Sequence, residues 1–283
     1  MIDGRRSGTA ERVAIRRAAH ALCDRPVIFE DPLALRILSE EGTARAREEA
    51  ADPEQHEWMR GLRLFVAARS RFAEDELALA VEQRVRQYVV LGAGLDTFAY
   101  RNPFGELRVF EVDHPDTQAW KRERLQHAGI PIPDSMRFTP VDFERDTLMH
   151  GLEAAGFRQD EPAFFAWLGV VPYLSRDAAM ATLRFIGGLP RGSGVVFDYA
   201  IPRESMGEAE RRAFDALAER VARAGEPFRL FFDPEPLAAE LRGLGFTRIE
   251  DMDGAGIRRR WFGEASGEPR PRGRSGRLLC AWV

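Results

Sequence analysis

Three groups of residues in this chain have the types and spacing to hold a nucleoside. The first is Val90-Leu-Gly92-Ala-Gly94-Leu-Asp96-Thr97. Glycines directly after an apolar run let backbone approach a ligand that a Cβ would exclude. The spacing gives only G-x-G, and Asp96 stands where a dinucleotide fingerprint wants its last small residues. That carboxylate would repel a pyrophosphate, but it suits a cation such as the sulfonium and amino group of S-adenosylmethionine. The second group is the acidic end of Arg108-Val-Phe-Glu-Val-Asp113. Asp113 lies about twenty residues beyond the glycines, where a carboxylate accepts both ribose hydroxyls. Glu111 competes for that role, although strand alternation and the turn at Pro115 favour Asp113. The third group is Asp142-Phe143, an acceptor for the exocyclic amine of adenine beside a ring for its face. Each group alone also fits a turn or a helix cap. At one end of one sheet they point together to a sulfonium nucleoside.

The order of elements places them at that end. Helical spacing covers residues 9–24, and Asp31-Pro32 has the chemistry to start a second short helix. Residues 40–56 read as a solvated helix or loop, and 57–82 as a long amphipathic helix with Leu62, Phe65, Val66, Phe72, Leu77 and Val81 inward. Short apolar runs at 87–91, 108–113, 136–142, 162–168 and 194–199 read as strands, with helices at 115–127 and 175–188 between them. Crossovers of this length make a doubly wound parallel sheet, whose ligands lie beyond the carboxyl ends of its strands. A charged helix over 204–224 and another from Asp233 to Gly245 follow. Phe246–Met252 and Arg277–Val283 are two further strands, joined by a Gly/Pro/Arg-rich loop in which Arg258-Arg-Arg260 reads as a solvated hairpin tip. The expected plan is one domain of residues 1–283: a helical cap at 1–84, a cofactor-binding core at 85–200, a helical lid at 201–232, and a helix and hairpin at 233–283.

Composition narrows the partners. A formal charge of −4 gives no case for a nucleic-acid binder. Cys23 and Cys280 are too few for a disulfide framework or a multi-cysteine metal site, so no metal is expected and a reducing cytoplasm is. No apolar run is long enough to span a membrane, and the charged residues of 1–17 do not read as a secretory signal. Lys121 stands alone as a lysine against forty arginines, which reflects base composition more than chemistry.

Taken in order, several stretches resemble the leucine carboxyl methyltransferase family, in particular its bacterial branch with polyketide carboxyl O-methyltransferases. They are Asp31-Pro-Leu-Ala34, Ala68-Arg-Ser-Arg-Phe-Ala-Glu-Asp75, Leu91-Gly-Ala-Gly-Leu-Asp-Thr97, Phe110-Glu-Val-Asp-His-Pro115, Val141-Asp-Phe143, Trp167-Leu-Gly-Val-Val-Pro-Tyr-Leu174, Phe197-Asp-Tyr199 and Gly225-Glu-Pro-Phe228. The resemblance spans most of the chain. It implies a class I methyltransferase fold: a Rossmann-like, seven-stranded α/β sheet with helices on both faces, an N-terminal helical cap and a reversed C-terminal hairpin. It implies S-adenosyl-L-methionine as cofactor, with Arg69 on its carboxylate. Gly92, Ala93, Gly94, Asp96, Asp113, His114, Asp142 and Phe143 line the nucleoside, and Leu168 and Gly169 give backbone contacts. Many members carry a glutamate where this chain has Leu168, which weakens equivalence to the protein-phosphatase-methylating members.

A sulfonium is an activated methyl donor, so catalysis reduces to positioning and desolvating the incoming oxygen. A carboxylate acceptor is already ionised, whereas a phenol needs a base. Tyr173 is the expected catalytic residue facing the methyl group, with packing beneath the cap as the other reading. Arg17 and His20 are expected to hold an acidic or phenolic small molecule or to serve as a base. The protein is expected to act as a monomer or homodimer, without nucleic acid or membrane. A nicotinamide oxidoreductase would want a full G-x-G-x-x-G and a tyrosine four residues before a lysine, yet Thr117 occupies that place before Lys121. A non-catalytic S-adenosylmethionine-binding protein is the remaining alternative.

Overall fold

The computed structural model describes residues 8–52, 57–142, 147–223, 225–263 and 276–283. Strands β1 (Gln87–Leu91), β2 (Arg108–Asp113), β3 (Met136–Pro140), β4 (Phe164–Trp167), β5 (Gly194–Ala200), β6 (Arg248–Met252) and β7 (Gly276–Trp282) form one sheet in the order β3-β2-β1-β4-β5-β7-β6. The first five run parallel, and β7 lies antiparallel between β5 and β6. Order and reversal are those of the class I methyltransferase fold, as the family resemblance implied.

Every residue of β1 and β5 is buried, because both sheet faces are covered. Side-chain alternation divides the core into two layers. Val89, Leu91, Phe110, Phe165 and Phe197 face one side. Tyr88, Val90, Val109, Phe164 and Val196 face the other.

The helices are α1 (Gly8–Cys23), α2 (Glu40–Ala51), α3 (Glu57–Glu82), α4 (Pro115–His127), α5 (Leu148–Ala154), α6 (Arg176–Gly187), α7 (Glu208–Arg223), α8 (Pro234–Gly243) and α9 (Gly254–Trp261). Ser175 caps α6, accepting from the Ala178 N–H at 3.2 Å. A third apolar cluster joins Ala14, Ile15 and Ala18 of α1 to Leu95 and to Trp120 and Leu125 of α4. That contact seats the N-terminal helices beside the loop that follows β1.

Several expectations are corrected. The segment after Asp31 is a string of turns rather than a helix, because the Asp31 carboxylate is drawn into tertiary contacts. Oδ2 accepts from the Thr97 hydroxyl at 2.7 Å and pairs with Arg17 at 2.7 Å, leaving Oδ1 for a local bond from the Leu33 N–H at 3.0 Å. β3 stops at Pro140 and β4 spans only 164–167, both shorter than expected. Helices α5 and α9 were not anticipated. Glycines inside both hid them, yet Thr147 and Asp253 cap them through the N–H groups of His150 and Gly256. Arg258-Arg-Arg260 therefore sits on a helix rather than at a hairpin tip. The Arg260 guanidinium packs over Phe72 and Trp261 and pairs with Glu250 at 2.8 Å.

Candidate active site

The chain leaves β1 through Gly92, whose φ of +67° only glycine adopts without strain. The Gly92 and Ala93 N–H groups both donate to the Val112 carbonyl, at 2.8 and 3.1 Å, pinning the turn onto β2. A Cβ on Gly92 would lie 2.4 Å from the Val170 side chain, so the loops after β1 and β4 press together here. Gly94 donates its N–H to Asp113 Oδ2 at 2.7 Å, and His114 donates its own to Oδ1 at 2.7 Å. Burial pushes the Asp113 carboxyl up, while those two donors pull it down. A carboxylate offers about four acceptor sites, so Asp113 keeps capacity for hydroxyl groups arriving from the crevice. Glu111 offers none to the crevice: its Oε1 has no hydrogen-bond partner, but it is sealed in the interior. It is fully buried, ion-paired with Lys121 at 2.7 Å and hydrogen-bonded by Tyr100 at 3.1 Å. Of the two acids weighed for the ribose, the structure leaves Asp113 accessible.

Asp96 is half-buried and accepts from the Phe98 N–H at 2.8 Å. Asp142 is half-buried just past β3, and Phe143 lies outside the described residues. The His114 ring caps α4, accepting from the Asp116 N–H at 3.3 Å, so its link to the crevice runs through the backbone contact to Asp113.

Arg69 comes from α3 and is 6% exposed. Its Nη1 donates to Asp198 Oδ2 at 3.1 Å, and the Gly169 N–H donates to Oδ1 at 2.5 Å. Asp198, buried at the end of β5, thus gathers α3 and the loop after β4. Gly169 has φ +72°, and a Cβ there would lie 2.7 Å from the Arg69 guanidinium. Leu168 is half-buried beside it. The sequence reading left Asp198 unassigned, although Phe197-Asp-Tyr199 was among the matched stretches. A carboxylate ending a buried parallel strand was the available signal.

Beside this pair opens a cavity of about 380 Å³. Leu62 and Phe65 of α3, Phe214 and Leu217 of α7, Tyr173 and Phe228 form apolar walls. Arg12, Arg16, Arg69, Arg212 and Arg220 also line it, and among the described residues Asp198 is the lining carboxylate. Thr9, Arg12, Val13 and Arg16 share one face of α1 at helical spacing. The Thr9 hydroxyl donates to Glu226, tying α1 to the segment after α7. Tyr173 is half-buried, its ring centroid 5.3 Å from that of Phe228. Burial, reinforced by Glu226, pushes its phenol up to about 12. Among the described residues no group of histidines, cysteines and acids is placed to hold a metal ion, and no helix is long and apolar enough to cross a membrane.

Residues 10–187 match the family model described as leucine carboxyl methyltransferase. A Bacillus subtilis protein, YktD, named for S-adenosyl-L-methionine-dependent methyl transfer, is 31% identical over 84% of this chain and 86% of its own length. A Mycobacterium bovis protein named for the same activity is 34% identical over 75% of this chain and 70% of its own. The chain belongs to the leucine carboxyl methyltransferase family. It is a methyltransferase, and its cofactor is S-adenosylmethionine. Among solved structures, a Streptomyces avermitilis protein of the DUF574 family superposes with a TM-score of 0.57 at 17% identity, covering 94% of this chain and 99% of the other. A Thermobifida fusca structure assigned to the methyltransferases gives 0.55 at 18% identity, covering 95% and 94%. At such identities these two speak for the fold alone.

The crevice of the methyltransferase fits that cofactor on its own geometry: an accessible carboxylate at Asp113, a turn crowded enough to need glycine, and a buried guanidinium at Arg69. Two expected substrate ligands do not reach the cavity. Arg17 donates to the Leu95 carbonyl at 2.6 Å and pairs with Asp31 at 2.7 Å. His20 is fully buried. Its Nδ1 meets Asp24 Oδ2 at 2.9 Å, and its Nε2 accepts from the Ile28 N–H at 3.1 Å. Both residues tie the cap of the methyltransferase together, whereas Arg12 and Arg16, on another face of the same helix, line the cavity.

Proposed function

We propose that this methyltransferase esterifies a carboxylate of a small acidic molecule with an apolar, polyketide-like skeleton, acting in the cytoplasm. The observation that carries the reading is the cavity beside Gly169 and Tyr173. It is lined by arginines within a chain of formal charge −4, and among the described residues no histidine, lysine or glutamate lines it. Local positive charge draws an anion, and greasy walls suit its skeleton. A phenol or alcohol would have to lose a proton on the way to the transition state, and Tyr173, held protonated, cannot take it. A carboxylate arrives ionised and needs no base.

S-adenosylmethionine supplies an electrophilic methyl group when bound. Asp113 is suited to the ribose hydroxyls, Asp142 to the adenine amine and Arg69 to the carboxylate of that group, because a guanidinium matches a carboxylate in a planar fork. Gly92, Gly94 and Gly169 let the side chains of Val170, Ala10 and Arg69 pack close against the turns, where a Cβ would collide with them. Tyr173 donates its hydroxyl toward the acceptor rather than removing a proton. The aromatic walls exclude water, which strips hydration from the attacking oxygen.

Transfer of a labelled methyl group to a panel of aromatic and aliphatic acids, with matched phenols, tests this reading. Methyl esters release their label as methanol in mild alkali, whereas methyl ethers keep it. Alkali-labile product on acids is expected. Alkali-stable product confined to the phenols would overturn carboxyl methylation, and cofactor binding without turnover on any acceptor would favour a binding protein.

A further inference from the structure

Arg16 is 9% exposed and lines the cavity, yet its Nε has no hydrogen-bond partner. Its Nη1 donates only to the Arg12 carbonyl one turn earlier, at 3.4 Å. Glu49, the carboxylate that offsets its charge, is itself paired with Arg63 at 3.3 Å. Arg16 makes no ion pair among the described residues. Burial, with Arg220, Arg12 and Arg69 close enough to be felt, lowers its guanidinium to about 10, so at neutral pH it stays charged. A buried charge left uncompensated is costly, and folded proteins pair such groups. Arg69 differs, because Asp198 already holds it.

We propose that Arg16, flanked by Arg12 and Arg220, is a subsite for a second carboxylate of the acceptor, so that the preferred substrate is a dicarboxylate esterified at one end. The proposal rests on the carboxyl-methylation reading. The anion on Arg16 is not the one that is methylated, for two reasons. A carboxylate forked onto a buried guanidinium has its oxygens committed to N–H donors, which weakens them as nucleophiles. Esterification would also erase its charge and return Arg16 to isolation in the product complex. A second carboxylate keeps its charge through turnover. In the balanced reaction one acceptor oxygen forms a bond to the methyl carbon as the carbon–sulfur bond breaks. Its electron pair stays on sulfur, no proton moves, and the product is a monoester monoanion.

The test compares three matched pairs of probes of different length: benzoate with terephthalate, cinnamate with para-carboxycinnamate, and decanoate with decanedioate. Each is titrated into the full-length protein loaded with S-adenosylhomocysteine and, in separate reactions supplied with S-adenosylmethionine, assayed for ester formation, in wild type and in Arg16→Gln. At least one diacid is expected to bind about 10- to 100-fold more tightly than its monoacid, the range of one charge-assisted hydrogen bond. Arg16→Gln is expected to remove that preference by raising KM for the diacid far more than for its monoacid, with S-adenosylhomocysteine affinity unchanged and Tm unchanged or raised. Arg16→Lys is expected to restore part of the preference. Equal affinity within all pairs, absence of diacid binding, or a preference surviving in Arg16→Gln overturns the proposal. So does a fall in S-adenosylhomocysteine affinity, which would assign Arg16 to the cofactor, or a fall in Tm, which would make it structural. Esterification of monoacids with no diacid preference sinks this proposal and leaves the carboxyl-methylation reading standing.

Discussion

Replacing Asp113 with asparagine separates the two acids at the end of β2. The Asp113 oxygens accept from Gly94 and His114, each at 2.7 Å. An amide turns one oxygen into a donor that faces one of those N–H groups and one ribose hydroxyl. One charged acceptor is therefore lost on each side, while the shape of the side chain is kept. A hydrogen bond to a charged group is worth about 1.5–3 kcal/mol. Since Asp113 is half-buried, the lower half of that range applies, which is about a 10- to 40-fold rise in Kd. Calorimetric titration with S-adenosylhomocysteine measures it, and a Tm close to wild type shows that the fold is kept. Glu111→Gln is the control. It strands Lys121 without its buried partner and is expected to cost about 3–5 kcal/mol of stability rather than ligand affinity. Unchanged affinity in Asp113→Asn, or weakened affinity at unchanged Tm in Glu111→Gln, would refute the assignment.

Three other substitutions probe separate parts of the account. Gly169→Ala forces a Cβ into a left-handed backbone position 2.7 Å from the Arg69 guanidinium, so it is expected to weaken S-adenosylhomocysteine binding and lower turnover; wild-type behaviour would show that Arg69 and Gly169 do not act together. Tyr173 stays protonated well above neutrality and a carboxylic acceptor is ionised above about pH 4, so kcat/KM is expected to be flat between about pH 6 and 9. Tyr173→Phe should lower kcat/KM about 3- to 10-fold without changing that shape, and a wild-type rise with pH that vanishes in the variant would make Tyr173 a base. His20→Ala removes a fully buried ring that joins Asp24 to the Ile28 backbone, and a stability loss of about 2–4 kcal/mol at unchanged acceptor KM is expected in chemical denaturation. A raised KM at unchanged stability would return His20 to the substrate.

What the chain revealed in advance follows from how local each signal is. The β1 turn and the acid closing β2 were readable because strand, glycine and carboxylate lie within a few residues of one another. Asp198 was not, because its meaning depends on Arg69, 129 residues earlier. The arginine-lined cavity was hidden for a related reason. In a chain of forty arginines nothing marks Arg12 and Arg16 from their neighbours until α1 is docked. The choice of Arg17 and His20 shows the limit. Their side-chain chemistry was apt for an acidic ligand, but one residue along a helix is a turn of about 100°, and Arg17 faces Asp31 while Arg16 faces the cavity. Helices α5 and α9 escaped because they are short and carry glycine, so capping rather than periodicity defines them.

The account stands or falls on the crevice above β1 and β2 opening into the arginine-lined cavity beside Tyr173. A crystal structure with S-adenosylhomocysteine measures this directly. It is expected to show ribose hydroxyls on Asp113, the ligand carboxylate toward Arg69 and the sulfur facing the cavity. A nucleoside seated away from Asp113, or a sulfur walled off from Arg12 and Arg16, would contradict it.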